Sequence, residues 1–280
     1  MRGGGAVVNT LKMTVLIDNI APEGLICEWG LSILIEADGR KILLDTGSSA
    51  QFVRNAATLQ TDLAEVDVGI LSHAHYDHAD GMEAFFACND RAGFLLRKGC
   101  RENCFGVKDG VLRYNGIRKG TLSRFADRIR FVSDVFQVSE GIWLVPHRAA
   151  DYSPIAQRSE LFVMENGRLR PDDFAHEQSL VVETEKGLVV FNSCSHTGVK
   201  NILTDVREML GERTVYAYVG GLHLYKLTDA ELSELADELA VSGISQILTG
   251  HCTGEHAFAF LRQRLGEQIR QISAGFTCVL

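Results

Sequence analysis

Three imidazoles and two carboxylates fall within eight residues, His73-Ala74-His75-Tyr76-Asp77-His78-Ala79-Asp80. On extended chain, side chains two apart leave on the same side, so His73 and His75 can meet one cation together. Asp77 and His78, adjacent on the bend that follows, point elsewhere and can reach a second. Neutral imidazole with carboxylate suits zinc, and also iron or manganese. Two such ions about 3.5–4 Å apart would activate a bridging water and clamp the oxygens of a displacement. A polar surface turn would account for one histidine. Three, interleaved with aspartates and set against the apolar run 66–71, point to a site. The spacing differs from that of a zinc helix with two histidines on one helical face.

The elements that must hold this cluster can be read on either side of it. The run 66–71 reads as a buried strand and 81–88 as a helix. Upstream, Met13 to Asn19 reads as a strand, and 31–36 and 41–45 as a hairpin about Asp38-Gly39, a strong turn pair. Asp45 closes that hairpin and is expected to hydrogen-bond the turns that carry the ligands. Ser48 is expected to cap a helix running to about Leu59. Residues 97–125, rich in glycine and basic side chains, read as a loop-rich, partly mobile insertion over the site, where a phosphate or other anionic group could be held.

A second hairpin, 179–184 and 187–191, ends like the first in a polar motif, Ser193-Cys194-Ser195-His196-Thr197-Gly198. Helix 199–210, strand 214–219, helix 229–241, strand 246–249, helix 255–265 and a closing strand 269–279 follow. This alternation favours a layered α/β fold. Strand ends deliver His196, His223 and His251, and active sites of open α/β sheets lie at such ends. His147 and His256 read as structural or surface residues.

His73-Ala74-His75-Tyr76-Asp77-His78 resembles the HxHxDH signature of the metallo-β-lactamase superfamily. Asp45-Thr46-Gly47, the 193–198 motif, Gly220-Gly221-Leu222-His223-Leu224 and Gly250-His251-Cys252-Thr253-Gly254 extend the likeness over roughly 13–279. They are similar to a branch of metal-dependent hydrolases that includes archaeal dihydropterin-linked synthases. The resemblance implies one domain over 1–280, a four-layer αββα sandwich and two divalent metal ions, zinc foremost. It implies His73, His75, Asp77, His78, His196 and His251 as metal ligands, with Asp77 also orienting the nucleophile. His223 is expected to act on the substrate as donor or general acid, with Cys252 and Thr253 beside it on the substrate side. In the family a histidine precedes the second hairpin and a bridging aspartate follows it. Here His196 stands where the aspartate is expected, and Asp173, His176 or Glu177 could supply the missing ligand. The implied activity is hydrolysis of an ester, lactone or phosphate-type small molecule. The alternatives are a dihydropterin-linked condensation, a di-iron redox centre or a non-catalytic metal binder.

Composition narrows the setting. A net charge of −8 gives no basic footprint for nucleic acid, and no apolar run is long enough to span a membrane. Seven scattered cysteines suit a reduced cytoplasm better than a disulfide framework. The glycine-rich start, 1–8, reads as frayed. Changing His75 or His251 to Ala is expected to lower metal content, and Asn55→Ala to leave it unchanged.

Overall fold

In the computed structural model, which describes residues 7–147 and 157–280, Asp38 and Gly39 both hold positive φ, 45° and 83°. That backbone is what a two-residue hairpin turn requires. It pairs Ser32–Ala37 with Arg40–Leu44, Ala37 opposite Arg40. Arg40–Leu44 then begins a parallel run with Val68–Ile70, Phe94–Arg97 and Ile129–Val132. Leu11–Ile17 and Thr277–Val279 complete a seven-stranded sheet on the other side.

The second hairpin, Gln178–Thr184 and Gly187–Phe191, repeats the plan. Gly187–Phe191 opens a parallel run with Val215–Val219, Gln246–Thr249 and Ile269–Gln271. Ile142–Pro146 and Phe136–Ser139 finish this second sheet, also of seven strands. Leu44, Ile70, Phe191 and Val219 share one apolar cluster, so the two sheets pack face to face. Phe52, Met82 and Phe85 of helices Gln51–Thr58 and Met82–Cys88 cover the outer face of the first sheet. Helices Val199–Leu210, Asp229–Val241 and Glu255–Leu265 cover the second. The layers run αββα, as expected.

Several boundaries differ from the expectation. Helix Gln51–Thr58 starts later than Ser48, because Glu28 takes the Ser48 and Ser49 amides at 3.0 and 3.2 Å and holds both residues outside the helix. The closing strand is two strands in two sheets. The chain turns between them at Gly275, whose φ is 81°. Residues 1–6 lie outside the described residues, but Val8 is buried and its amide donates to the Glu183 carbonyl at 2.7 Å.

The segment 97–125 carries a hairpin, Cys104–Lys108 with Val111–Tyr114. Leu161–Glu165 and Arg168–Pro171 extend it into a third sheet, of four strands. Its exit grips the metal-type turn: the Tyr76 amide donates to the Asn115 carbonyl at 3.0 Å, and the Ile117 amide to the Ala74 carbonyl at 3.2 Å. Among the described residues no helix is long and apolar enough to cross a membrane.

Asn55 is fully buried, and its side chain ties the helix to the 18–30 loop. It accepts from the Ile26 amide at 2.9 Å and donates to the Leu16 and Ile26 carbonyls at 2.8 and 2.7 Å. Asn55→Ala is therefore a poor neutral control. It removes the partner of three backbone groups, one buried and two partly buried, and a loss of about 3 kcal/mol is expected in urea unfolding. An unchanged midpoint would show that the loop repacks freely.

Candidate metal centre

The turn that follows Val68–Ile70 is fixed from below by Asp45. Its carboxylate accepts from the Ser72 amide at 2.7 Å, the Ser72 hydroxyl at 2.6 Å and His78 Nδ1 at 2.8 Å. The Ser72 hydroxyl, having donated to Asp45, accepts from His73 Nδ1 at 2.8 Å. Both rings thus carry their proton on Nδ1 and turn a bare Nε2 inward. On the far side His251 Nδ1 donates to Asn19 Oδ1 at 3.0 Å, while the Asn19 amide donates to the His251 carbonyl at 3.0 Å. Its Nε2 is likewise turned inward. Gly81 follows the turn where an added Cβ would overlap the Thr46 carbonyl, so only glycine lets the ligand turn lie this close to the 45–47 loop.

Inward-facing nitrogens then meet. His78 Nε2 lies 3.2 Å from His251 Nε2, and His73 Nε2 lies 3.2 Å from His196 Nε2. Nitrogens facing at that distance need a proton or a cation between them. Zinc bonds of about 2.0–2.1 Å in a tetrahedron set their ligand nitrogens ~3.3 Å apart. Asp77 Oδ2 joins the His251 side at 3.5 Å and His78 at 3.8 Å. The rings of His73, His75 and His196 form a triangle with centroids 4.6, 4.7 and 4.8 Å apart, and His75 Nε2 is buried without a partner. Donor type, spacing and the orphaned nitrogen all fit metal ions.

Electrostatics agree. Burial, then the neighbouring imidazoles, holds His73 and His196 well below the ordinary histidine range. Burial and the His176 ring opposite push His75 down to about 3. These rings are therefore neutral, as ligands must be. Burial opposes the charge on Asp77, but His78 and His251 outweigh it and hold the carboxyl well below its usual range. Burial also disfavours a charged His251. Hydrogen bonding to Asp77 outweighs it and raises the ring to about 9. A positive charge is wanted at that position.

The structure thus brings His73, His75, Asp77, His78, His196 and His251 into one cleft. His223 stands at its wall, half-buried, its ring 4.3 Å from His196 and both nitrogens without a partner. Cys252 and Thr253 are fixed into the floor. Cys252 Sγ accepts from the His223 amide at 3.3 Å, and Thr253 Oγ1 from the Leu222 amide at 3.0 Å. Of the three residues offered for the missing ligand, Asp173 and Glu177 are committed elsewhere, while His176 gathers with His75, Cys104 and Asp172, their donor atoms within 4.8 Å of one another. Asp173 pairs with Arg170 at 3.2 Å. Glu177 accepts from the His196 and Thr197 amides and the Thr197 hydroxyl at 2.8, 3.0 and 2.8 Å. His176 Nδ1 accepts from the Ala74 amide at 3.2 Å, and its Nε2 contacts Asp172 at 3.0 Å. His147, expected to be structural, bonds Ser179 and Asp205, and His256 pairs with Asp229 on the surface.

Some members of the site carried no signal in the sequence. Trp29 and Tyr225, both about half exposed, meet edge-to-face at 6.3 Å over the mouth of a cavity of about 80 Å³. His75, His196, His223 and His251 line it. A second cavity, about 280 Å³, shares His196 and His223 and runs between Arg158 and Glu231, Glu234 and Glu238. Arg118 and Lys119 of the 97–125 segment line a separate groove with Tyr76 and Asp80 instead. Asp45, Ser195, His223 and His251 all have positive φ, between 48° and 60°. Such non-glycine strain concentrates at functional sites.

This arrangement is that of a metallo-β-lactamase-fold protein, and residues 30–86 match the model of the metallo-beta-lactamase superfamily. Among particular relatives, the chain is similar to 7,8-dihydropterin-6-methyl-4-(beta-D-ribofuranosyl)-aminobenzene-5'-phosphate synthase of Methanocaldococcus jannaschii. The two are 26% identical over 258 residues, 88% of either chain. An uncharacterized protein of the same archaeon is 26% identical over 252 residues, 89% of this chain and 93% of its own. A crystal structure of a metal-dependent hydrolase of the beta-lactamase superfamily superposes with a TM-score of 0.81 at 29% identity, covering 96% of this chain and 98% of that one.

Proposed function

We propose that this chain is a metal-dependent hydrolase with a two-cation site, acting on a small ester, lactone or phosphate-type substrate. The paired donors, His73 with His196 and His78 with His251, each at 3.2 Å and each presenting one ring, His196 or His251, to the cavity beside Trp29 and Tyr225, carry the reading. Cations held there would polarise the substrate and lower the pKa of a water molecule. The protein's own groups do the rest. Asp77, ionised and facing both His78 and His251, orients the nucleophile. His223, unpartnered at both nitrogens, donates a hydrogen bond or proton to the leaving oxygen. The cavity shared by His196 and His223 takes the body of the substrate. In this reading the chain works as a single domain, with the third sheet inserted to buttress the ligand turn.

A second reading, a condensing enzyme in which the same groups assist departure of a leaving group, is supported by likeness to the archaeal synthase over 88% of the chain. The test begins with elemental analysis of the purified protein, where two divalent ions per chain are expected. His75→Ala and His251→Ala should each lower that number, and Arg54→Ala, on an exposed helix face, should not. Equal metal in all three would end the reading. Phosphodiesters and lactones are then assayed against a pterin diphosphate. Turnover of the pterin alone would replace the hydrolase with the synthase.

A further inference from the structure

The two donor pairs have a buried thiol in common. Cys194 is 3% exposed, and its Sγ lies 3.2 Å from His78 Nε2. It is within 4.8 Å of a donor atom on His73 and His196 in one group, and on His78 and His251 in another. Among the described residues Cys194 alone belongs to both groups. Few anions stand between the pairs. Asp77 faces His78 and His251, whereas Glu177 is committed to the 196–197 backbone, Asp45 to Ser72 and His78, and Asp172, gathered with His75, to His176 and the Phe174 amide. Of the other sulfurs nearby, Cys252 has its Sγ turned to the His223 amide and crowded against Gly221, and Cys104 gathers with His75, Asp172 and His176 instead.

We infer that Cys194 is a metal ligand, its sulfur placed to bridge the two cation positions where a carboxylate would otherwise stand. The inference rests on the two-cation reading above. On coordination the S–H bond breaks, a sulfur–metal bond forms, and the proton leaves to solvent. A soft sulfur in the shell selects zinc, iron or cobalt over manganese and magnesium, so the thiolate also narrows the class of metal.

X-ray absorption at the zinc edge of the zinc-loaded full-length chain tests this. A sulfur neighbour at about 2.3 Å is expected in the wild type. It should vanish in Cys194→Ser and persist in Cys252→Ser, and sulfur-to-cobalt charge-transfer absorption in the cobalt form should follow the same pattern. Should Cys194→Ser not fold, alkylation of the wild type by iodoacetamide, read by mass spectrometry, decides. In urea below the unfolding transition, zinc should slow alkylation of Cys194, and a chelator should restore it. A zinc shell of nitrogen and oxygen alone, a sulfur that survives Cys194→Ser, or equal alkylation with and without zinc overturns the inference but leaves the metal site standing. A wild type that takes up no zinc, iron or cobalt overturns the inference and the two-cation reading together.

Discussion

Asp45→Asn is expected to weaken metal binding about 100-fold, the upper end of what loss of an outer partner does to a ligand, although it changes neither shape nor backbone. Asp45 has φ 60°, and asparagine tolerates that left-handed conformation well. The new amide oxygen can keep the Ser72 amide. Its NH₂, however, replaces the oxygen that accepts from both the Ser72 hydroxyl and His78 Nδ1. Donor then faces donor. His78 escapes by moving its proton to Nε2, where it blocks the lone pair turned toward His251. Ser72 escapes by accepting from the new NH₂ and donating to His73 Nδ1, which moves the His73 proton to Nε2 as well. One substitution thus caps two inward nitrogens. A chelator competition with zinc measures the affinity. An accompanying loss of about 2 kcal/mol is expected from the weakened buried bonds. Retained affinity would show that the Asp45–Ser72–His73 chain does not set the tautomers.

How much of this was legible beforehand depends on distance along the chain. The ligand turn was readable because its four donors lie within six residues and are preceded by an apolar strand. The hairpins were readable because Asp38-Gly39 and the alternation around them are local signals. The role of Asp45 could be anticipated because it ends a strand beside the turn it must hold. Trp29 and Asn19 were not readable. They act on His251, more than two hundred residues away, and no local pattern marks such a contact. The sulfur of Cys194 was visible only as part of a motif, since its relation to His78 spans 116 residues. The 97–125 segment misled for a different reason. Its glycines suggested a loop, but Gly116 forms a bridge with His75, and an added Cβ there would press on the Cys104 amide and the Tyr114 ring. Glycine there serves close strand contact rather than flexibility.

Metal removal should lower the melting temperature by on the order of 10 °C. A ligand at 1,000 times its Kd stabilises the native state by about 4 kcal/mol, and a chain of this size shifts by ~2–4 °C per kcal/mol. The stripped protein should also acquire a pH dependence that the loaded one lacks. His251, raised to about 9, binds its proton more tightly folded than unfolded. Its contribution is complete below about pH 6.5, the unfolded value, and is lost as pH rises toward 9. His75, lowered to about 3, works in the opposite sense. The unfolded chain takes its proton first, so stability falls as pH drops from about 6.5. The stripped protein is therefore squeezed from both sides and should be most stable near pH 6.5. With metal bound, both rings are held neutral as ligands, the alkaline loss disappears, and only acid, which must protonate the ligands to free the metal, remains destabilising. Calorimetry of stripped and zinc-loaded protein between pH 6 and 9 distinguishes the two profiles. Parallel curves, equally sloped and separated by less than the error, would mean that no cation sits between His78 and His251.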